Sequence, residues 1–278
     1  MDGRWNMIDA HNHLYSFKEF EEIPVIMARA RQAGVERMLC NAACENGWEE
    51  IGALTEAYPG EVVGAFGIHP WYVKEACEGW EERLASRLER YPEAIIGECG
   101  LDFYHDPGSS EIQEAFLREH LRLGGLLKRP VTLHCVRSWE ELLGLFKKIP
   151  KEELPPAMLF HAYNGGSELL EKLVELGGWF SFAGTVLYEK NRRGREALQA
   201  LWVLRPDRLL LETDAPDLAG PEPYRTGILK DESGKARSEP ADLRLILGGV
   251  SALLGVSERE LEEVIESNLE KFLKAGCG

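Results

Sequence analysis

The sequence predicts an α/β protein folded as a (β/α)8 TIM barrel, with a metal site at the C-terminal ends of its strands. Two observations carry this expectation. Eight short apolar runs alternate with longer amphipathic stretches, as parallel strands joined by helices do. Polar candidate ligands also stand just where apolar runs end. From His13 to His69 is 56 residues, and the next steps are 29 to Glu98, 36 to His134, 27 to His161 and 53 to Asp214. One βα unit takes roughly 30 residues in a barrel of ~250. Two steps are therefore double and three single, which counts eight strands, the second and seventh without a ligand. An open doubly wound sheet shows the same alternation, but ligands from both ends of the chain do not easily converge in it.

Taken in order, the candidate strands are Asn6–Ala10, Arg37–Asn41, Val62–Gly67, Ala94–Glu98, Val131–His134, Ala157–Phe160, Trp179–Phe182 and Arg208–Glu212. Helical periodicity marks Ala115–Leu127 and Leu169–Leu176, with stops at Gly34 and Gly177. The Pro/Gly-rich, charged stretch Ala215–Pro240 reads as a long loop, a candidate lid. Helices over Ala241–Leu254 and Glu258–Lys274 close the chain. No linker divides it, so residues 1–278 are read as one barrel.

Composition bounds the function. Hydrophobic residues make up 44% and charged residues 28%, an ordinary globular balance. The net charge of −15 argues against a broad basic nucleic-acid surface. It leaves room for a nuclease, because bound cations supply positive charge where a phosphate sits. Met1–Asn6 is polar and Met7 opens the first strand, so a secretory signal is not expected. No apolar run is long enough to span a membrane, and no membrane partner is expected. Cys40, Cys44, Cys77, Cys99, Cys135 and Cys277 form no CxxC pair. Reduced thiols in a cytoplasm are the expectation, and a monomer is favoured.

The chemistry lies in the strand ends. In Asp9-Ala10-His11-Asn12-His13, His11 and His13 share one side of a strand and can grip one ion. The alternative is a pair of core histidines bonded to carboxylates. Glu98 emerges from Ile95-Ile96-Gly97, where a carboxylate is costly unless paired or metal-bound. Its two oxygens can bridge two cations, or it forms a strand-end salt bridge. Asp102 reads as a loop or capping acid.

Val131-Thr132-Leu133-His134 and Met158-Leu159-Phe160-His161 repeat one pattern, an apolar strand followed by His. Two such histidines beside His-x-His are hard to explain as packing. Asp214, after Leu209-Leu210-Leu211-Glu212-Thr213, lies beside the first strand once the barrel closes, and can share the ion of His11 and His13. Imidazole with carboxylate suits Zn²⁺, Mn²⁺ or Fe²⁺, and Mg²⁺ less readily. Cys99 and Cys135 follow ligands by one residue, so strand alternation aims them away from the centre. His69 is a candidate contact for a phosphate or leaving oxygen, or a structural ring beside Pro70. Arg137, Lys190 and Arg225 are candidate phosphate partners, or surface charges. Trp71, Tyr104 and Tyr163 are candidate base-stacking rings, with packing on the rim preferred. His105 is unassigned, and His120 is expected to be exposed on a helix.

Several segments, in order, resemble the TatD family of metal-dependent deoxyribonucleases, within the amidohydrolase-like barrels. They are Ile8-Asp9-Ala10-His11-Asn12-His13-Leu14, Gly67-Ile68-His69-Pro70, Gly97-Glu98-Cys99-Gly100-Leu101-Asp102-Phe103-Tyr104, Leu133-His134-Cys135, His161-Ala162-Tyr163-Asn164-Gly165-Gly166-Ser167 and Leu211-Glu212-Thr213-Asp214-Ala215-Pro216, with Asn268 and Phe272 near the end. The resemblance implies two divalent ions (Mg, Mn or Zn) bridged by Glu98. It places His11, His13 and Asp214 on one ion, and His134 and His161 on the other. It further implies 3′-end or general DNA hydrolysis, and a 3′-5′ exonuclease is the expected activity. Glu98, Asp214 and His69 are the candidate catalytic residues. A single-stranded or 3′-ended DNA is the expected partner. Some TatD-like proteins are associated with removing D-amino acids from tRNA, so a D-aminoacyl-tRNA deacylase is one alternative. A small-molecule lactonase or amidase is another, and a metal-stabilised binding protein a third.

Two departures stand out. The family often has Arg two residues after the fifth-strand His, where this chain has Val136 and then Arg137. Ser238-Glu239-Pro240 stands where the family usually has Asn-Glu-Pro. Both are expected near the substrate's approach.

Overall fold

The computed structural model describes residues 6–19 and 21–276; Cys277 lies outside the described residues. The chain runs β1 (Met7–Asn12), α1 (Ile23–Ala33), β2 (Val35–Asn41), α2 (Trp48–Ala57), β3 (Val62–Phe66), α3 (Trp80–Arg90), β4 (Ile95–Asp102) and α4 (Ser110–Leu127). It continues through β5 (Val131–Val136), α5 (Trp139–Phe146), β6 (Met158–Phe160), α6 (Leu170–Glu175), β7 (Gly178–Phe182), α7 (Arg192–Leu204) and β8 (Leu209–Leu211). Helices α8 (Leu243–Leu254) and α9 (Glu258–Leu273) follow. All eight expected strands are present, and neighbours pair in parallel in chain order.

The ring closes where β8 meets β1. Asp214 N donates to His11 O at 2.9 Å, and His13 N to Ala215 O at 2.8 Å. The Asp9 carboxylate reinforces the seam by accepting from Thr213 N (2.9 Å) and Oγ1 (2.6 Å). Burial is the largest influence on this fully buried acid and pushes its pKa up to about 7. Apart from Glu36 and Arg37 of β2 and His134 and Val136 of β5, the strand residues are buried, as in parallel strands covered by helices. Phe160, Phe180 and Phe182 fill the β6–β7 wall.

Helix stops fall as the glycines require. Gly34 (φ 86°) closes α1 and takes bonds back to Ala30 and Arg31, the left-handed cap that glycine adopts without strain. Gly177 (φ 90°) follows α6 in the same way. The 215–240 loop is irregular, as expected, apart from a short turn at Glu222–Tyr224 and an isolated bridge from Lys230 to Ala236.

Strand β4 differs from expectation and matters most. It runs four residues past Glu98, so Glu98 lies inside the strand rather than at its end. Gly97 and Gly100 have φ 144° and 150°, and the β4–β5 register shifts between Ile96 and Cys99. A Cβ on Gly100 would lie 1.9 Å from His134 O. The irregularity aims the acid inward while the strand continues to Asp102.

His120 is a correction. It is fully buried on α4, not exposed. Its Nδ1 donates to Phe116 O at 2.7 Å, its Nε2 accepts from Ile68 N at 3.2 Å, and Trp80 stacks on the ring. The helical pattern placed it on the right element, but not on the inward face it occupies. No single helix among the described residues is long and apolar enough to cross a membrane.

Candidate metal centre

The six ligand candidates converge at the mouth of the barrel. Nε2 of His11 and Nε2 of His13 lie 3.3 and 3.5 Å from Glu98 Oε2, and 3.5 and 3.6 Å from Asp214 Oδ1. A cation ~2.1 Å from four donors at tetrahedral corners leaves them ~3.4 Å apart. On the other side of the carboxylate, Glu98 Oε1 lies 3.0 Å from His134 Nδ1 and 2.8 Å from His161 Nε2, and those nitrogens are 3.2 Å apart. Glu98 thus turns one oxygen to each group of nitrogens.

The donors present fit cations. Both ring nitrogens of His11, Glu98 Oε1 and Asp214 Oδ1 are buried with no hydrogen-bond partner among the described residues. Such groups are costly unless something positive satisfies them. Two of the rings are also held in the tautomers a metal needs. His13 Nδ1 meets Asn41 O at 2.8 Å, leaving Nε2 free. His134 Nε2 meets Asp102 Oδ2 at 3.2 Å, leaving Nδ1 free. His161 Nδ1 has no hydrogen-bond partner among the described residues and faces Glu212 Oε1 at 3.6 Å.

His69 reaches the same place in a different role. Its Nε2 is 3.5 Å from Glu98 Oε1, close enough for His69, Glu98 and His134 to be grouped around an ion. However, Nδ1 accepts from Trp71 N at 3.1 Å. In the neutral ring the proton is then on Nε2, which makes His69 a donor and unsuited to ligation.

The carboxylates and rings shift one another's titration. For Glu98 burial acts upward and is the largest influence, but His161, His69 and His11 together hold it well below its usual range. Burial, aided by His161, lowers His11 to about 4. Burial also pushes His69 well down. His161 moves up despite burial, because Glu98 and Glu212 face it. His134 rises despite burial through Asp102 and Glu98. Burial raises Asp214, and Glu212 and Glu98 add to that. Buried carboxylates here need either protons or cations to balance them.

Two acids in the cluster have roles that the sequence reading missed. Glu212 is fully buried and accepts from Ala162 N at 2.6 Å and from Ser181 Oγ. Its oxygens are committed to those donors, and Oε1 faces His161 Nδ1 at 3.6 Å. Asp102 does cap its turn, through Tyr104 N (3.1 Å) and His105 N (3.0 Å), and it also holds His134. The available signal was alternation: Asp102 and Glu212 share the side of Glu98 and Asp214 on their segments.

A cleft of about 940 Å³ opens over the centre, lined among others by Trp71, Tyr104, Lys190 and Arg225. Tyr163 is buried, with its hydroxyl donating to Gly166 O at 2.8 Å, as preferred for it. Trp71 and Tyr104 depart from their preferred packing role and stay exposed. Ser238 and Glu239 also depart from expectation. They are buried under the 215–240 loop, where Ser238 Oγ meets Asp242 and Glu239 pairs with Arg29. They do not line the cleft. Cys99 and Cys135 are buried, as expected.

Residues 8–274 match the family model for TatD related DNase. The chain is 32% identical over 263 residues to the 3′-5′ ssDNA/RNA exonuclease TatD of Klebsiella pneumoniae, covering 95% of this chain and 96% of that one. It is 28% identical over 254 residues to an uncharacterized metal-dependent hydrolase of Haemophilus influenzae, covering 86% and 94%. Among solved structures it is similar to YJJV, a TatD homologue from Escherichia coli, with TM-score 0.82, 27% identity and coverage of 96% and 97%. On sequence and fold together, the chain belongs to the TatD-related DNase family.

Proposed function

We propose that this barrel, acting as one unit, is a two-metal phosphodiesterase that removes nucleotides from the 3′ end of single-stranded DNA. The observation that carries the reading is Glu98, whose two oxygens each face a separate group of imidazole nitrogens. His11, His13 and Asp214 would hold one ion, His134 and His161 the other, with Glu98 between them. The exonuclease names of the relatives support nucleic acid as the substrate.

Bound there, divalent cations of the Mg, Mn or Zn class would acidify a water and neutralise charge growing at phosphorus. The chain's own groups do the rest. Asp214, facing the cleft, orients the attacking water and takes its proton. His69 presents its Nε2–H beside Glu98 and donates to a phosphate oxygen as negative charge develops. Asp102 holds His134 in place, and Glu212 sets negative charge beside His161. A cytoplasmic location and a monomeric state belong to the same proposal, the former resting on thiol usage.

The test is product mapping. Oligonucleotides labelled at the 5′ end should yield a ladder shortened from the 3′ side, faster for single strands and frayed ends than for blunt duplex. Equal rates on blunt duplex and single strands, or turnover of only aminoacyl-tRNA or lactones, would overturn the assignment.

A further inference from the structure

Two aromatic rings stand at the cleft with exposed faces. Trp71 follows β3 and is 47% exposed; Tyr104 follows β4 and is 64% exposed. Each is backed on another side. His105 stacks on Trp71 with centroids 4.2 Å apart and planes 22° apart. The Arg137 guanidinium lies 4.2 Å from the centre of the Tyr104 ring, with Arg137 itself at φ 52°. Exposed rings of this size leave apolar surface in water, yet these two are held rather than loose.

One carboxylate holds the Trp71 ring and the Tyr104 backbone. Asp102 Oδ2 accepts from Trp71 Nε1 at 2.7 Å, and Oδ1 accepts from Tyr104 N at 3.1 Å. That carboxylate also holds His134. The Trp71 ring and the Tyr104 backbone are therefore tied to the carboxylate that holds His134, and Arg137 backs the Tyr104 ring. Cations lie along the same cleft. Lys190 Nζ sits over the Tyr188 ring. Arg225 donates to the backbone oxygen of Gly220, and its buried Nε has no hydrogen-bond partner among the described residues.

We infer that Trp71 and Tyr104 form a stacking platform for the unpaired bases that flank the scissile phosphate, and that this platform makes the site select single strands. A base inside a duplex has both faces covered by its neighbours. An unpaired base has a free face, which aromatic rings take up with little regard to sequence. Lys190 and Arg225 meet the phosphates of the same strand. The inference rests on reading the cleft as a nucleic-acid site.

The test uses the metal-loaded protein and fluorescein-labelled single-stranded hexanucleotides with phosphorothioate linkages to slow turnover. One probe carries bases throughout, and a second is abasic at its three 3′ positions. Fluorescence anisotropy gives Kd for wild type, Tyr104→Ala and Tyr104→Phe. The Tyr104 ring stands outside the hydrophobic core, so its replacement leaves the fold intact. We expect Tyr104→Ala to weaken the base-bearing probe about tenfold and the abasic probe hardly at all, while Tyr104→Phe stays near wild type. Equal wild-type affinity for both probes, or equal losses on both in Tyr104→Ala, would overturn the platform. Hydrolysis of unprotected oligonucleotides is measured separately. Base discrimination without hydrolysis supports the platform and sinks the phosphodiesterase reading. Hydrolysis without base discrimination does the reverse.

Discussion

Asp102 Oδ2 lies 3.2 Å from His134 Nε2 and fixes which nitrogen of that ring faces Glu98. Replacing Asp102 with Asn keeps the size but lets the amide present a donor to the ring. Loss of such a carboxylate partner typically weakens a metal site ~10–100-fold. Metal titration of Asp102→Asn should therefore show one of two equivalents weakened by that factor, and the other unchanged. Two unaltered equivalents would mean that Asp102 only caps its turn.

His69 separates two roles that proximity alone confuses. Because Nδ1 accepts from Trp71 N, His69 is left as a donor to substrate. His69→Ala should keep its full metal content and lose about 10²–10³ in kcat, the scale of a lost transition-state donor. Loss of metal from this variant would instead make His69 a ligand.

His120 gives a pH dependence outside the reacting groups. Nδ1 donates to Phe116 O and Nε2 accepts from Ile68 N, so a second ring proton would face another donor. Burial, only partly opposed by the Phe116 carbonyl, lowers its pKa from 6.5 to about 4. Between those values the unfolded chain binds a proton that the folded chain refuses. Stability contributed here is therefore present above pH 6.5 and lost as pH falls. The loss is about 2 kcal/mol by about pH 5. Urea denaturation at about pH 7.5 and pH 5 should show wild type losing about that much more than His120→Gln. Equal losses would refute the assignment.

Gly100 tests the irregular strand. Its φ of 150°, and the 1.9 Å that would separate a Cβ at this position from His134 O, leave no room for a side chain. Gly100→Ala should destabilise the protein by more than about 2 kcal/mol and displace His134. A native-like denaturation midpoint would contradict this.

How far the sequence was readable follows from what each residue's position depends on. The eight strands were legible because each is a short apolar run ending at a polar group, and the convergence of the candidate ligands was legible because barrel strands end at one mouth. The extent of β4 was not, because glycines at 97 and 100 read as a strand end although they serve a bend within one. Glu212 and Asp102 passed as incidental acids because their partners, His161 and His134, are on other strands, and spacing along a chain does not reveal cross-strand pairs. His120 was misplaced for a related reason: its acceptor role toward Ile68 joins α4 to the end of β3, a contact no helical period encodes. Trp71 and Tyr104 were assigned to packing because large rings usually are buried, whereas Asp102 holds the Trp71 ring at the rim and Arg137 backs the exposed Tyr104 ring.

Glu98 stands between two proposed cation sites, and metal stoichiometry tests that bridge most directly. Elemental analysis of protein saturated with Mn²⁺ and freed of excess should give two equivalents for wild type. Glu98→Ala, verified as folded by circular dichroism, should retain at most one, with hydrolysis of end-labelled single-stranded DNA abolished. Two retained equivalents with activity intact would contradict the bridge and the chemistry built on it.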